Sequence, residues 1–223
     1  MVAFMPISAY VQSAVFLVLA AVALFACAGT LAIAGFWLFL AILAGVTGAS
    51  LAILDPDLIR ERMRPGGRRA PLGLRLVGLI PLLQLIIAGL DRGRLHWSDS
   101  VPPWLQGAGL AAVAGGFALF LWAMAVNPFF SSVARIQAER GQHVIAAGPY
   151  RFVRHPGYSG AILLILASGL ALGSWLATAF VVVLGMPLIL HRTITEDRLL
   201  HAELAGYRDY AGRIRWRVAP GIW

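Results

Sequence analysis

Long uncharged runs, separated by short arginine-bearing stretches, organise this chain. From Val11 to Leu54 no residue is charged. A crossing of a hydrocarbon core takes about 20 apolar residues. That run is too long for one crossing and suits two, with Gly29-Thr30 and Gly35 marking the turn. A third apolar run covers Leu72 to Leu90, with Arg75 near its start and Pro81 inside. A fourth covers Trp104 to Val126, where Trp104 suits an interfacial anchor. Tyr158 to Leu190 is apolar again. As one straight helix it would be about 50 Å long, well beyond a core of about 30 Å. A helical hairpin with two short arms is therefore expected, with its tip at Gly173-Ser174-Trp175. Polar loops fall at 55–71, 91–103 and 127–157. A polar tail starts at His191, where Thr195 to Tyr210 is expected to form an amphipathic helix in the interface.

The pattern predicts an all-α fold: a polytopic transmembrane helical bundle of about six apolar segments, including the C-terminal hairpin. Residues 1–126 would be N-terminal transmembrane helices. Residues 127–223 would supply a loop, the hairpin and a tail, all within one integrated membrane domain. Composition agrees. Of 223 residues, 60% are hydrophobic and 13% charged, against about 25% charged in soluble domains.

Charge adds orientation. Net charge is +8, and Lys is absent, so every basic side chain is Arg. The 55–71 loop, the 127–157 loop and the tail are rich in Arg, whereas the 91–103 loop carries Arg92 and Arg94 balanced by Asp91 and Asp99. If the hairpin returns, the three Arg-rich pieces share one side. The positive-inside bias makes that side cytoplasmic, with both termini on it. A bacterial inner membrane is the expected location. The Arg residues then set topology and meet anionic headgroups, and nucleic acid is not an expected partner. No obligate protein partner is implied.

Other features take plainer readings. Cys27 is the one cysteine, so neither an intrachain disulfide nor a cysteine zinc cluster is possible. No Arg precedes the first apolar run, which reads as a retained span rather than a cleaved leader. Gly107-Ala108-Gly109 sits inside an apolar run without a preceding strand, and reads as a close helix contact rather than a nucleotide fingerprint. Taken singly, His143, His96 and His201 read as solvated loop histidines. His155, Glu196 and Asp197 beside many Arg make a poor ligand set for zinc, and no metal is expected.

Candidate chemistry concentrates at 148–160, Gly-Pro-Tyr-Arg-Phe-Val-Arg-His-Pro-Gly-Tyr-Ser-Gly. Polar groups at the edge of a membrane are expensive to keep, so a functional reading comes first. Pro156 stiffens the entry to the next helix. Lipid phosphate binding by the Arg residues is the competing reading. A second polar cluster follows at Arg192, Glu196 and Asp197. Arg192 and Glu196 are spaced i, i+4 and share a helix face; alone they read as a surface ion pair. Because they end the hairpin that the first motif begins, Arg154, His155, Tyr158, Arg192 and Glu196 are expected to converge in one pocket at the cytoplasmic face. Such convergence of partly desolvated charge is what a small-molecule site looks like.

These residues resemble the isoprenylcysteine carboxyl methyltransferase family, whose superfamily includes phospholipid N-methyltransferases and bacterial thiol methyltransferases. The resemblance rests on Gln142-His143-Val144-Ile145-Ala146-Ala147-Gly148-Pro149-Tyr150, on Arg154-His155-Pro156-Gly157-Tyr158-Ser159-Gly160, on Arg192 with Glu196-Asp197, and on the closing Arg217-Val218-Ala219-Pro220. It covers about residues 127–223. It implies an S-adenosylmethionine-dependent methyltransferase. Gln142, His143, Val144, Ile145, Tyr150, His155, Pro156, Gly157, Tyr158 and Glu196 would bind the cofactor. Arg192, His155 and Arg154 would be catalytic, with Arg192 facing the acceptor. Asp197 stands where the family usually has a second Glu. The acceptor would be lipophilic or small: a carboxylate, thiol or amine. The alternative is a non-catalytic membrane protein of the same fold that binds a lipid or small ligand.

Overall fold

A computed structural model describes residues 4–67, 72 and 77–223. Among the described residues there are eight α-helices: α1 (Ile7–Ala28), α2 (Ala34–Ile53), α3 (Pro56–Met63), α4 (Ile80–Leu90), α5 (Pro103–Val126), α6 (Pro156–Ala171), α7 (Trp175–Glu203) and α8 (Tyr207–Arg213). Of these, α1, α2, α5 and α7 are long and apolar enough to cross a membrane, and α6 is a shorter apolar helix. The all-helical membrane bundle read from the hydropathy pattern is therefore the fold. Arg68, Arg69 and, within the third run, residues 73–76 with Arg75 lie outside the described residues. Helix α4 starts at Ile80, which places Pro81 in its first turn rather than mid-helix, where a missing N–H costs nothing.

Local signals explain the helix ends. Gly29 takes the left-handed conformation (φ 70°) that closes α1, and such C-caps favour glycine. Asp55 caps α3 by accepting from the Asp57 amide at 2.7 Å, with Pro56 at the first helical position. Gly173, at φ 71°, turns the chain between α6 and α7, and the Ser174 hydroxyl caps α7 through the Ala177 amide at 3.0 Å.

The hairpin is present, but its arms are unequal. α6 has 16 residues and α7 has 29, so α7 continues past the apolar stretch. The interfacial helix expected over Thr195 to Tyr210 is not a separate element. Its first half is the extension of α7. The chain then bends at Leu204–Gly206, Gly206 at φ 78°, into α8. The reason is packing: Leu204, Tyr207 and Tyr210 are buried together against Val144 and Ile136, which draws the tail over the bundle end rather than along a lipid surface.

Small residues let the membrane helices approach. A Cβ on Gly160 of α6 would lie 2.6 Å from the Gly116 carbonyl oxygen of α5, and one on Gly109 would lie 2.6 Å from the Ala171 amide nitrogen. Close backbone approach through small residues drives helix packing where lipid removes the hydrophobic advantage. Gly160→Ala is thus expected to lower stability by about 1–3 kcal/mol, the usual cost of overpacking, as a fall in the thermal midpoint of the detergent-purified protein. At the tip end, buried Asp91 accepts from the Ser98 and Ser174 hydroxyls, tying the 91–101 loop to the hairpin turn.

Contacts at the other end gather the arginine-rich segments. Arg60 donates to the Phe4 carbonyl at 2.6 Å, Arg135 pairs with Glu61 at 3.0 Å, and Arg154 pairs with Asp197 at 2.9 Å. The N-terminal turn, α3, the 127–157 loop and the tail therefore share one face, as a return of the hairpin requires.

Candidate active site

At that face a cavity of about 310 Å³ opens between the 127–145 loop, the start of α6 and the C-terminal part of α7. Its size fits the range of roughly 300–1,000 Å³ usual for small-molecule sites. Of the residues singled out from the sequence, Gln142, His143, Val144, Ile145, Tyr150, Arg154, His155, Gly157, Tyr158, Arg192 and Glu196 all line it. Pro156 does not: it is buried at the first position of α6, where it sets the helix start.

Two side-chain systems build the cavity. The outer one is a chain of hydrogen bonds. The Arg192 Nε donates to the Tyr158 hydroxyl at 2.7 Å, and that hydroxyl donates to Glu196 Oε2 at 2.6 Å. Arg192 also donates to the Ser132 carbonyl. Arg192 and Glu196 therefore do not form the surface ion pair that their spacing allows; Tyr158 stands between them. Glu196 keeps its second oxygen and has no cation at ion-pair distance among the described residues. Tyr158→Phe should leave the fold intact and lower turnover roughly 10- to 100-fold, since one charge-assisted hydrogen bond contributes roughly 1.5–3 kcal/mol. Unchanged turnover of the purified variant would show that the bridge does not position Arg192.

The inner system centres on Asp197, which is 2% exposed. Its oxygens accept from Arg154 Nε at 2.9 Å and Arg154 Nη2 at 3.0 Å, from the Tyr207 hydroxyl at 2.9 Å, and from Arg217 Nε at 2.8 Å. His155 Nε2 lies 3.1 Å from the same carboxylate. Arg154 spends its remaining contacts on the Ile214 and Arg215 carbonyls, at 3.0 and 2.9 Å. Burial opposes its charge, but the hydrogen bonds and attraction of Asp197 outweigh that and raise its pKa. The backbone joins in: the Arg154 and His155 amides donate to the Trp216 and Arg217 carbonyls at 2.9 and 2.8 Å. With its donors so engaged, Arg154 is placed to fasten the tail over the motif rather than to reach a ligand.

The remaining residues shape the rim. Tyr150 is buried; its hydroxyl accepts from Asn127 at 3.0 Å and its carbonyl from the Tyr210 hydroxyl at 2.7 Å. Burial raises the pKa of both Tyr150 and Tyr207, so both stay protonated at physiological pH. Gln142 accepts from the Gln137 amide at 2.7 Å, which folds the loop, and His143 sits edge-on to Phe129 at 5.1 Å.

The sequence singled out Asp197 but not its place at the centre of a knot with Arg154, Tyr207 and Arg217, and it gave no reason to expect Arg62 of α3 at the cavity. Arg62 was indistinguishable from its neighbours in a loop of five arginines. The knot's only signal was a second acid next to Glu196.

The fold is that of a polytopic membrane protein with a cavity at one face. The model of the isoprenylcysteine carboxyl methyltransferase (ICMT) family matches residues 109–202. Over this region the chain is ICMT-like, as its motifs implied. The solved eukaryotic intramembrane Ras methyltransferase ICMT superposes with a TM-score of 0.67 at 15% identity, covering 96% of this chain and 77% of that one. The two share a fold. The Delta(14)-sterol reductase TM7SF2 of Mus musculus is 27% identical over 99 residues, 44% of this chain and 24% of that protein. The chain thus spans about a quarter of the length of that curated relative.

Proposed function

We propose that the protein is an integral membrane methyltransferase that uses S-adenosylmethionine and methylates a lipophilic or small acceptor at the cytoplasmic face of a bacterial inner membrane. The carrying observation is the open carboxylate of Glu196 beside aromatic rings in a cavity of nucleotide size. The cofactor is a sulfonium cation with an amino and a carboxylate group, and it would supply the methyl group. The residues present fit it. Glu196 has a free acceptor oxygen for the amino group, and such a charge-assisted bond is strong. Tyr150, Tyr158 and Phe129 offer π faces to a cation or an adenine. The 142–145 backbone supplies amides and carbonyls at the rim. Methyl transfer is an in-line displacement, so the protein's contribution is positioning and exclusion of water. His155 is held by Asp197 and orients this wall, and the tail over it closes the cavity from water. Arg192, held by Tyr158 and Ser132, faces the acceptor. The arginine-rich segments at the site's end support the cytoplasmic placement.

Incubating purified protein, S-adenosylmethionine and a host lipid extract should produce a methylated product by mass spectrometry, and calorimetry should record cofactor binding. No cofactor binding would overturn the reading. The similarity to a sterol reductase favours a second reading, a reductase. A parallel titration with a reduced nicotinamide dinucleotide separates the two.

A further inference from the structure

Arg62 lies on α3, outside the family-matched region, and its guanidinium lines the cavity. It is held there from both sides. Its own carbonyl accepts from the Ser132 hydroxyl at 3.0 Å. Its neighbour Glu61 accepts from Arg135 at 3.0 Å and from the Ser131 hydroxyl at 3.0 Å, which clamps α3 to the loop. The guanidinium itself lies over two rings, 5.7 Å from Phe120 and 5.2 Å from Phe130.

What it lacks is a counter-ion. All ten Asp and Glu of the chain are among the described residues. None is at ion-pair distance from Arg62 or from Arg192. Yet both arginines are anchored on Ser132, Arg62 through its carbonyl and Arg192 through a donated hydrogen bond. Two cations thus converge on one cavity wall without a carboxylate between them. Burial, and next the repulsion of Arg192, lowers the Arg62 pKa to about 10. Keeping such a pair in place is unfavourable unless a ligand supplies the missing charge. An anionic oxygen group does so best, since a guanidinium fork matches carboxylate and phosphate geometry.

The surroundings say which ligand. The Arg62 side of the cavity is apolar, with Phe120, Phe130, Val77 and Ile189. The 142–145 loop, Tyr150 and His155 lie on the wall assigned above to the cofactor. We propose that Arg62 and Arg192 jointly hold an anionic oxygen group, carboxylate or phosphate, on the methyl acceptor, whose apolar part lies along Phe120, Phe130 and Ile189. This rests on the methyltransferase reading and makes Arg62 a specificity-determining residue for the acceptor.

The test uses full-length protein in neutral-lipid nanodiscs, with decanoate, decyl phosphate and uncharged decanamide as probes. The parent should bind at least one anion about tenfold more tightly than decanamide, as expected of a charge-assisted contact. The tighter anion names the group. Arg62→Gln should erase that preference, and Arg62→Lys should retain part of it. In both variants the affinities for S-adenosylmethionine and decanamide should stay within about twofold of the parent, which also reports that the site is folded. The inference is overturned if the parent shows no anion preference, if Arg62→Gln keeps it, or if Arg62→Gln weakens the cofactor instead. Failure of the parent to bind S-adenosylmethionine, with the anion preference present and lost in Arg62→Gln, sinks the methyltransferase reading and leaves the anion site standing.

Discussion

Replacing Asp197 with Asn is expected to lower the stability of the protein by about 3–5 kcal/mol, the usual consequence of removing one partner of a buried ion pair. The carboxylate is 2% exposed and accepts from Arg154, Tyr207 and Arg217, with His155 at 3.1 Å. An amide can accept at one atom only, and it presents N–H groups to donors. Arg154, itself 7% exposed, would be left buried without its charge partner. The loss should therefore exceed that of an ordinary polar substitution, about 1 kcal/mol. Thermal unfolding of the detergent-purified variant measures it. Because Arg154 also holds the Ile214 and Arg215 carbonyls, limited proteolysis should cut the tail of Asp197→Asn before the bundle. A variant with the parent's midpoint and an equally protected tail would show that the knot is not what closes the site. Asp197→Glu keeps the charge and should recover part of the stability.

Glu196→Gln should weaken S-adenosylmethionine binding roughly 10- to 100-fold, because a hydrogen bond to a charged group contributes about 1.5–3 kcal/mol. Here the carboxylate has one oxygen on Tyr158, at 2.6 Å, and no cation at ion-pair distance among the described residues. The substitution leaves no buried charge stranded, so stability should change far less than in Asp197→Asn. Calorimetric titration gives the affinity and a melting curve the stability. Equal cofactor affinity in Glu196→Gln and the parent would remove Glu196 from the cofactor site. The two neighbouring acids should thus separate cleanly: one substitution acts on the fold, the other on the ligand.

That contrast also marks how far the sequence reaches. Glu196 and Asp197 are adjacent in the chain and of like charge, yet they sit on different faces of α7. One faces the open cavity; the other is locked into the tail. The pairing partners lie far away along the chain, Arg154 for Asp197 and Tyr158 for Glu196, and nothing local distinguishes them. The i, i+4 spacing of Arg192 and Glu196 suggested a direct pair, but Tyr158 from the other arm of the hairpin inserts between them. The interfacial helix expected at 195–210 failed for a similar reason. Its apolar side found Val144 and Ile136 rather than lipid, and amphipathicity alone does not say which apolar surface will receive it.

The helices, the hairpin with its turn near Gly173, and the gathering of arginine at one end were legible in the order of residues. All three are responses to a solvent: hydrocarbon demands internally satisfied backbone and uncharged side chains over a set length, and that demand is written residue by residue. Which charged group meets which was settled by contacts between distant segments. Those contacts made Asp197 the centre of the inner knot, put Tyr158 between Arg192 and Glu196, and brought Arg62 from α3 to the cavity wall. Those choices depend on backbone approach between segments distant in the chain, through glycines such as Gly160 and loop contacts such as Ser132, and a one-dimensional pattern carries no distances.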